Sequence, residues 1–212
     1  MVIAIDGPAG AGKSTVARAL AERLGFTYLD SGAMYRCVAL ATLRARADPD
    51  DPEAVTPIAE GLDLRMSPGA VAIAGEDVST AIRTPEVSAA ASRVSVHPGV
   101  RAAMVERQRG LVADGGWVAE GRDIGTVVCP DSPLKVHLNA DESERARRRA
   151  AESGEHHTAV LEAQRDRDAR DREREHGALE VAEDAVEVDT TGLAVVEVVE
   201  RVADLAAERG LL

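Results

Sequence analysis

Eight consecutive residues carry the most explicit chemistry in the chain. "GPAGAGKS", Gly7 to Ser14, satisfies G-x-x-x-x-G-K-[ST] in full. Gly7, Pro8, Ala9, Gly10, Ala11 and Gly12 form a loop in which glycines let backbone N–H groups converge on phosphate oxygens. The helix that follows adds the partial positive charge of its N-terminus. Lys13 supplies an ammonium for the β- and γ-phosphates, and Ser14 offers a hydroxyl to Mg²⁺, with Thr15 closing the set. Bound ATP with Mg²⁺ is therefore expected on residues 7–15. The loop does not name the reaction. No N-K-x-D base-reading motif of a GTPase occurs, and "VEVD" at 186–189 lies too near the C-terminus to serve a mechanical ATPase. A small-molecule kinase fits better.

A second stretch, "RDRDARDRERE" from Arg165 to Glu175, alternates acid and base. Such a run is usually a solvated helix surface. On a helix, however, Arg167, Asp171 and Arg174 are spaced i, i+4, i+7 and fall within an arc of roughly 60°. Asp166–Arg170 and Asp168–Arg172 are expected to stay solvated elsewhere on that helix.

These residues need a frame. "VIAI" reads as a buried parallel strand, "KSTVARALAERL" as a helix stopped by Gly25, "FTYLD" as a second strand and "SGAMYRCVALATLRARA" as a second helix. "DPDDPE", 48–53, reads as a turn-rich break. "LDLRMS", "PG" and "AVAIAGEDVS" predict a small antiparallel unit with a tight turn. Two helices, two strands ("WVAEGRD", "PLKVHLNA"), a helix from "DESERARRRAAE", the charged helix from about Thr158 to Glu175, a last strand in "AVEVDTT" and a last helix follow. Strand and helix alternate except in 62–84, which implies an α/β fold: a central parallel sheet with helices on both faces, plus a β-rich insert. Ligands on such sheets bind at the carboxyl ends of the strands, so Gly7–Ser14, Asp30–Ser31, Glu120–Asp123 and Asp189–Thr191 are expected to share one rim.

Composition narrows the function. The chain has 212 residues, 45% of them hydrophobic but only 2% aromatic, with a formal net charge of −12. Few stacking platforms and an acidic surface argue against a nucleic-acid polymer as partner. No apolar run is long enough for a membrane span, and the start shows no signal-peptide pattern. Cys37 and Cys129, far apart, read as reduced core thiols of a cytoplasmic protein. Of 25 basic residues only Lys13 and Lys135 are lysine. Their survival in an arginine-biased chain suggests places that need a compact ammonium. His156 and His157 have no third ligand at metal-site spacing and read as exposed.

Four further stretches point one way: "LDSGAMYR" (29–36), "GEDVSTAIRTPEV" with the following "SVHPGVR" (75–101), "AEGRDIGTVVCPD" (119–131) and "RDARDRER" (167–174). With the phosphate loop they resemble the bacterial type of cytidylate kinase, a P-loop nucleoside monophosphate kinase family, along nearly the whole chain and in order. The resemblance implies a P-loop kinase core (1–61, 99–152 and 178–212), an acceptor-binding insert (62–98) and a helical lid (153–177) within a single domain. It implies ATP-dependent phosphorylation of CMP and dCMP by a monomeric enzyme of pyrimidine nucleotide metabolism. By matching position, Arg36, Arg122 and Arg167 bind phosphate, with Arg174 near the same site; Arg suits this because its planar fork takes two phosphate oxygens at once. Ser92, Arg101 and Asp123 match cytosine-reading positions, Asp171 a pentose position and Ser31 an acceptor contact. Asp30 is placed to orient Mg²⁺-bound water. Lys13, Arg122, Arg167 and Arg174 would stabilise the transferring group. One departure is the stretch "EHGALEVAEDA" after Arg174, which lacks a proline common in the family. The rivals are a kinase for UMP, shikimate or a similar acid, separated by Asp123 beside Arg122, and a non-catalytic nucleotide-binding module.

Overall fold

A computed structural model describes residues 1–67, 69–154, 156–174 and 176–211. Pro68 of the expected tight turn and Glu175 at the expected helix end lie outside them. The chain divides into two compact units, residues 1–29 with 112–212, and residues 30–111.

The first unit is built on β1 (Val2–Asp6), α1 (Lys13–Leu24) and β2 (Thr27–Asp30, whose last residue opens the second unit). After the second unit come β6 (Trp117–Gly121), a π-helical turn (Ile124–Val128), β7 (Leu134–Asn139), α6 (Glu142–Ser153), α7 (His157–Glu173), β8 (Val186–Asp189) and α8 (Val195–Glu208). The strands form one sheet in the order β2-β6-β1-β7-β8. The pairings of β1 with β6 and β7, and of β7 with β8, are parallel. Side chains alternate along a strand, so Ile3 and Ile5 share one face with Leu134, Val136 and Leu138. That face packs on Val16, Ala17 and Leu20 of α1 and Val198, Val202 and Ala206 of α8. Small aliphatic residues close this core, as the shortage of aromatics requires.

The second unit contains α2 (Ser31–Arg44), α3 (Pro52–Glu60), strands β3 (Leu64–Ser67), β4 (Ala70–Ile73) and β5 (Glu76–Asp77), a 3₁₀ turn (Ala81–Arg83), α4 (Pro85–Val94) and α5 (Pro98–Leu111). The strands form the expected antiparallel sheet, β3-β4-β5. The turn-rich break at 48–53 proves to be partly a helix start. Asp51 caps α3 by accepting from the Glu53 and Ala54 N–H groups, and Pro52 occupies its first turn. No helix among the described residues is long and apolar enough to cross a membrane.

α3 and α5 meet at a glycine. A Cβ on Gly99 would stand 2.4 Å from Thr56 Cγ2 and 2.7 Å from its Oγ1. Gly99→Ala should therefore destabilise the protein by about 1–3 kcal/mol in urea unfolding, through overpacking. Adding Thr56→Ala, which removes both clashing atoms, should restore part of the loss.

Candidate active site

The phosphate loop leaves β1 and crosses close to β7. Gly7 lies at φ 148°, and a Cβ there would stand 2.0 Å from the Leu138 carbonyl oxygen, so only glycine fits. Gly12 stands at the N-cap of α1 in the left-handed region and offers no side-chain cap. The first-turn N–H groups are thus directed at whatever anion enters the loop. The Ser14 hydroxyl stands exposed on the same turn. Uncapped amides, an ammonium and a hydroxyl form a donor set that fits a triphosphate with its magnesium ion.

Lys13 is buried and donates to the Pro8 carbonyl at 2.8 Å. Burial, then the positive charge of Arg122, holds its ammonium well below the ordinary lysine range, with Arg167 adding to the depression. Glu120 and Asp6 oppose that shift. Arg122 is itself pushed down by burial and supported by Asp168, Glu120, Asp6 and Asp123. Its Nε donates to Asp171 Oδ2 at 2.8 Å. Asp171, 1% exposed, also pairs through Oδ1 with Arg174. The expected stripe Arg167–Asp171–Arg174 therefore needs one correction. α7 ends at Glu173, and Arg174 has extended backbone. The Leu179 N–H takes the Asp171 carbonyl, so the chain leaves the helix and Arg174 reaches Asp171 from beyond its end.

One of the expected solvated pairs also changes partner. Asp168 is 4% exposed and bonds Arg145 of α6 at 2.7 Å rather than lying on the surface with Arg172. Arg170 Nε donates to the Asp166 carbonyl, one turn back on the same helix. Arg145 further donates to the carbonyls of Ala9 in the phosphate loop (2.9 Å) and Ala140 (3.1 Å). α7 turns this side of its charge run inwards because Arg145 offers a buried partner that solvent-facing Arg172 does not. Thr190, just after β8, stands with its Oγ1 3.2 Å from the Ala11 carbonyl and 3.0 Å from that of Asn139. Arg148 holds it through both Oγ1 and the main-chain carbonyl.

Asp6, at the end of β1, was not singled out by the sequence. Its two oxygens accept from the N–H groups of Ile124 (2.9 Å) and Gly125 (2.7 Å). Burial raises its carboxyl from the ordinary 3.8 to about 6, against the lowering effect of those two hydrogen bonds. The raised value means that this group's contribution to stability is full below the ordinary carboxylate range and is lost as pH rises through about 6. Carrying the charge at pH 7 costs on the order of 3 kcal/mol. Glu120 accepts a 2.5 Å hydrogen bond from the Tyr28 hydroxyl.

In the second unit, Asp30 caps α2. Oδ1 accepts from the Ala33 N–H and Oδ2 from Arg36 Nη2, each at 2.8 Å. Ser31 lies beside it in the first turn of α2, buried. Ser92 on α4 and Arg101 on α5 are each 4% exposed. Arg101 Nη1 lies 3.5 Å from the Ser95 carbonyl, and its guanidinium stands 5.7 Å from the centre of the Tyr35 ring. Cys37 is buried, and its thiol is pushed up to about 12 by burial. His156 and His157 are exposed, and Cys129 is a free thiol, half-buried.

The structure thus gathers Lys13, Arg122, Arg167, Asp171 and Arg174 around the phosphate loop, and groups Asp30, Ser31 and Arg36 at one helix start. Thr190 falls in the expected rim segment Asp189–Thr191; Asp6, Arg145, Tyr35 and the inward pairing of Asp168 were not anticipated. Asp6 alone carried a signal, as an acid closing an otherwise apolar strand directly before the loop. Arg145 is indistinguishable by type within "RARRR".

A phosphate loop on a parallel sheet of this order defines a P-loop nucleotide-binding fold. A gluconokinase from Sinorhizobium meliloti shares the fold with a TM-score of 0.50, at 18% identity, over 98% of this chain and 94% of that one. Sequence then decides the branch. Residues 3–208 match the cytidylate kinase family. The chain is 46% identical to the cytidylate kinase of Solibacter usitatus, over 99% of this chain and 93% of that protein. It is 49% identical to a bifunctional pantoate ligase/cytidylate kinase of Prochlorococcus marinus, over 96% of this chain and 44% of that longer protein. The chain belongs to the cytidylate kinase family.

The Arg145–Asp168 pair carries a stability prediction. Asp168→Asn leaves a buried guanidinium without its counter-charge and should cost about 3 kcal/mol in urea unfolding. Arg145→Met combined with Asp168→Leu should lose clearly less than the two single variants together.

Proposed function

We propose that the chain transfers the γ-phosphoryl group of ATP directly to the phosphate of CMP or dCMP, giving CDP or dCDP, without a covalent intermediate. The observation that carries this reading is the set of buried Lys13 with half-buried Arg122 and Arg167 beside the phosphate loop, and Arg174 joined to Arg122 through Asp171. Donor and acceptor phosphates repel each other, and only closely spaced cations let them meet in line. The attacking phosphate oxygen is already ionised near neutral pH, so no general base is needed.

The loop residues 7–15 hold the donor. Ser14 would ligate Mg²⁺ and Asp30 would orient a metal-bound water; a bound ion would supply neutralisation of the donor's phosphate charge. Lys13 and the arginines spread the charge of the transferring group. Arg36, Arg122 and Arg167 clamp the acceptor phosphate, Asp171 takes the pentose, and Ser31, Ser92, Arg101 and Asp123 contact the nucleoside and its base. Segment 62–98 serves as the acceptor-binding insert. Segment 153–177 serves as a lid that excludes water, which competes with the acceptor for the γ-phosphoryl group.

Asp123 accounts for base choice. A carboxylate accepts from the cytosine 4-amino group, whereas uracil presents a carbonyl oxygen there. Two facing acceptors cost about 2–4 kcal/mol. An ADP-release assay over CMP, dCMP, UMP, AMP and shikimate should show CMP and dCMP as good acceptors, with kcat/KM for UMP at least about thirtyfold lower. Equal turnover of UMP, or ATP binding without acceptor-dependent ADP release, would favour the rival readings. Arg167→Ala should lower kcat by about a hundredfold while leaving the thermal midpoint close to wild type.

A further inference from the structure

Asp123 occupies the N-cap position of the π-helical turn 124–128, yet its side chain makes no capping hydrogen bond there. An aspartate at such a position ordinarily folds back onto the N–H groups of its own turn. Here that work is done from another strand. Asp6 of β1 takes both the Ile124 and the Gly125 N–H, across more than a hundred residues of sequence.

We propose that Asp6 is a positioning residue for acceptor selectivity: by capping this turn in place of Asp123, it keeps the Asp123 carboxylate directed at the acceptor base. This rests on the reading of Asp123 as the base-selecting group. Three observations support it. The site of contact is tight, because a Cβ on Gly125 would stand 3.1 Å from Lys135 Cδ and 3.4 Å from Asp6 Oδ2. Asp6 is 6% exposed and faces Lys13 of α1 together with Arg122 and Asp123 after β6. Asp6 also directly precedes the phosphate loop, so one side chain joins the donor-binding strand to the acceptor-reading turn.

Asp6→Asn preserves shape but leaves an amide NH₂ facing a backbone N–H. The Asp123 carboxylate, at the N-cap position of the same turn, is then the group expected to fold onto the freed N–H. The expected result is a fall of about tenfold in the CMP-over-UMP ratio of kcat/KM, with KM for ATP within about twofold of wild type. The decisive measurement is the cycle with Asp123→Asn. If Asp6 acts through Asp123, adding Asp6→Asn to Asp123→Asn leaves the ratio where Asp123→Asn put it. An unchanged ratio in folded Asp6→Asn protein, or effects on the ratio that multiply, would overturn the proposal. Should Asp6→Asn fail to fold, Gly125→Ala perturbs the same joint from the other side and should lower the ratio in the same direction; no change would again overturn it. Asp123→Asn alone with wild-type selectivity would instead sink the base-reading role itself, a result read independently of Asp6.

Discussion

Like charges forced together away from water are the constraint around which the first unit is arranged. Arg122 and Arg167 stand close enough to Lys13 to weaken its hold on a proton, adding to the effect of burial. Such a group is stable before any phosphate arrives only because carboxylates stand among the cations. Asp171 bridges Arg122 and Arg174, Asp168 holds Arg145, and Asp6 and Glu120 act on Lys13 from nearby. Buried ions need paired and hydrogen-bonded partners, or their desolvation exceeds any gain. The acidic overall charge of the chain is consistent with this arrangement, since anionic ligands meet a local concentration of cations within an acidic protein.

The parallel sheet makes the gathering possible. All its strands deliver their carboxyl ends to one edge, so the residues following β1, β6 and β8 converge though they are far apart in sequence. Gly7 passes against Leu138, Thr190 lies at the Ala11 carbonyl, and Asp6 reaches Ile124 and Gly125. Each contact ties a loop after one strand to a loop after another. The buried core of α1, α8 and the sheet is aliphatic, with Phe26 and Tyr28 packed against it, and it underlies the edge that carries the polar groups.

The helices α6 and α7 show how charge patterning is resolved by packing. By spacing alone Asp168 has a solvent-facing partner at Arg172. In the fold it turns inward to Arg145, which also grips the Ala9 carbonyl of the phosphate loop. The segment proposed as a lid is thus joined electrostatically to the phosphate loop.

The phosphate loop, the alternation of strands and helices, the antiparallel insert and the family were legible in the sequence because each rests on local pattern: glycine spacing, hydrophobic period and contiguous motifs. Helix α3 was hidden by "DPDDPE", whose prolines and acids suit a turn and a helix start equally well. The roles of Asp6 and Arg145 were not legible, since nothing in a residue's type says which distant backbone group it will meet. Sequence by itself determined which chemical groups the chain possesses and which strand or helix carries them. Only the tertiary structure decided which carboxylate holds which cation, because burial and distance set the energy of a charge pair, and both exist only after the sheet has brought its strand ends together.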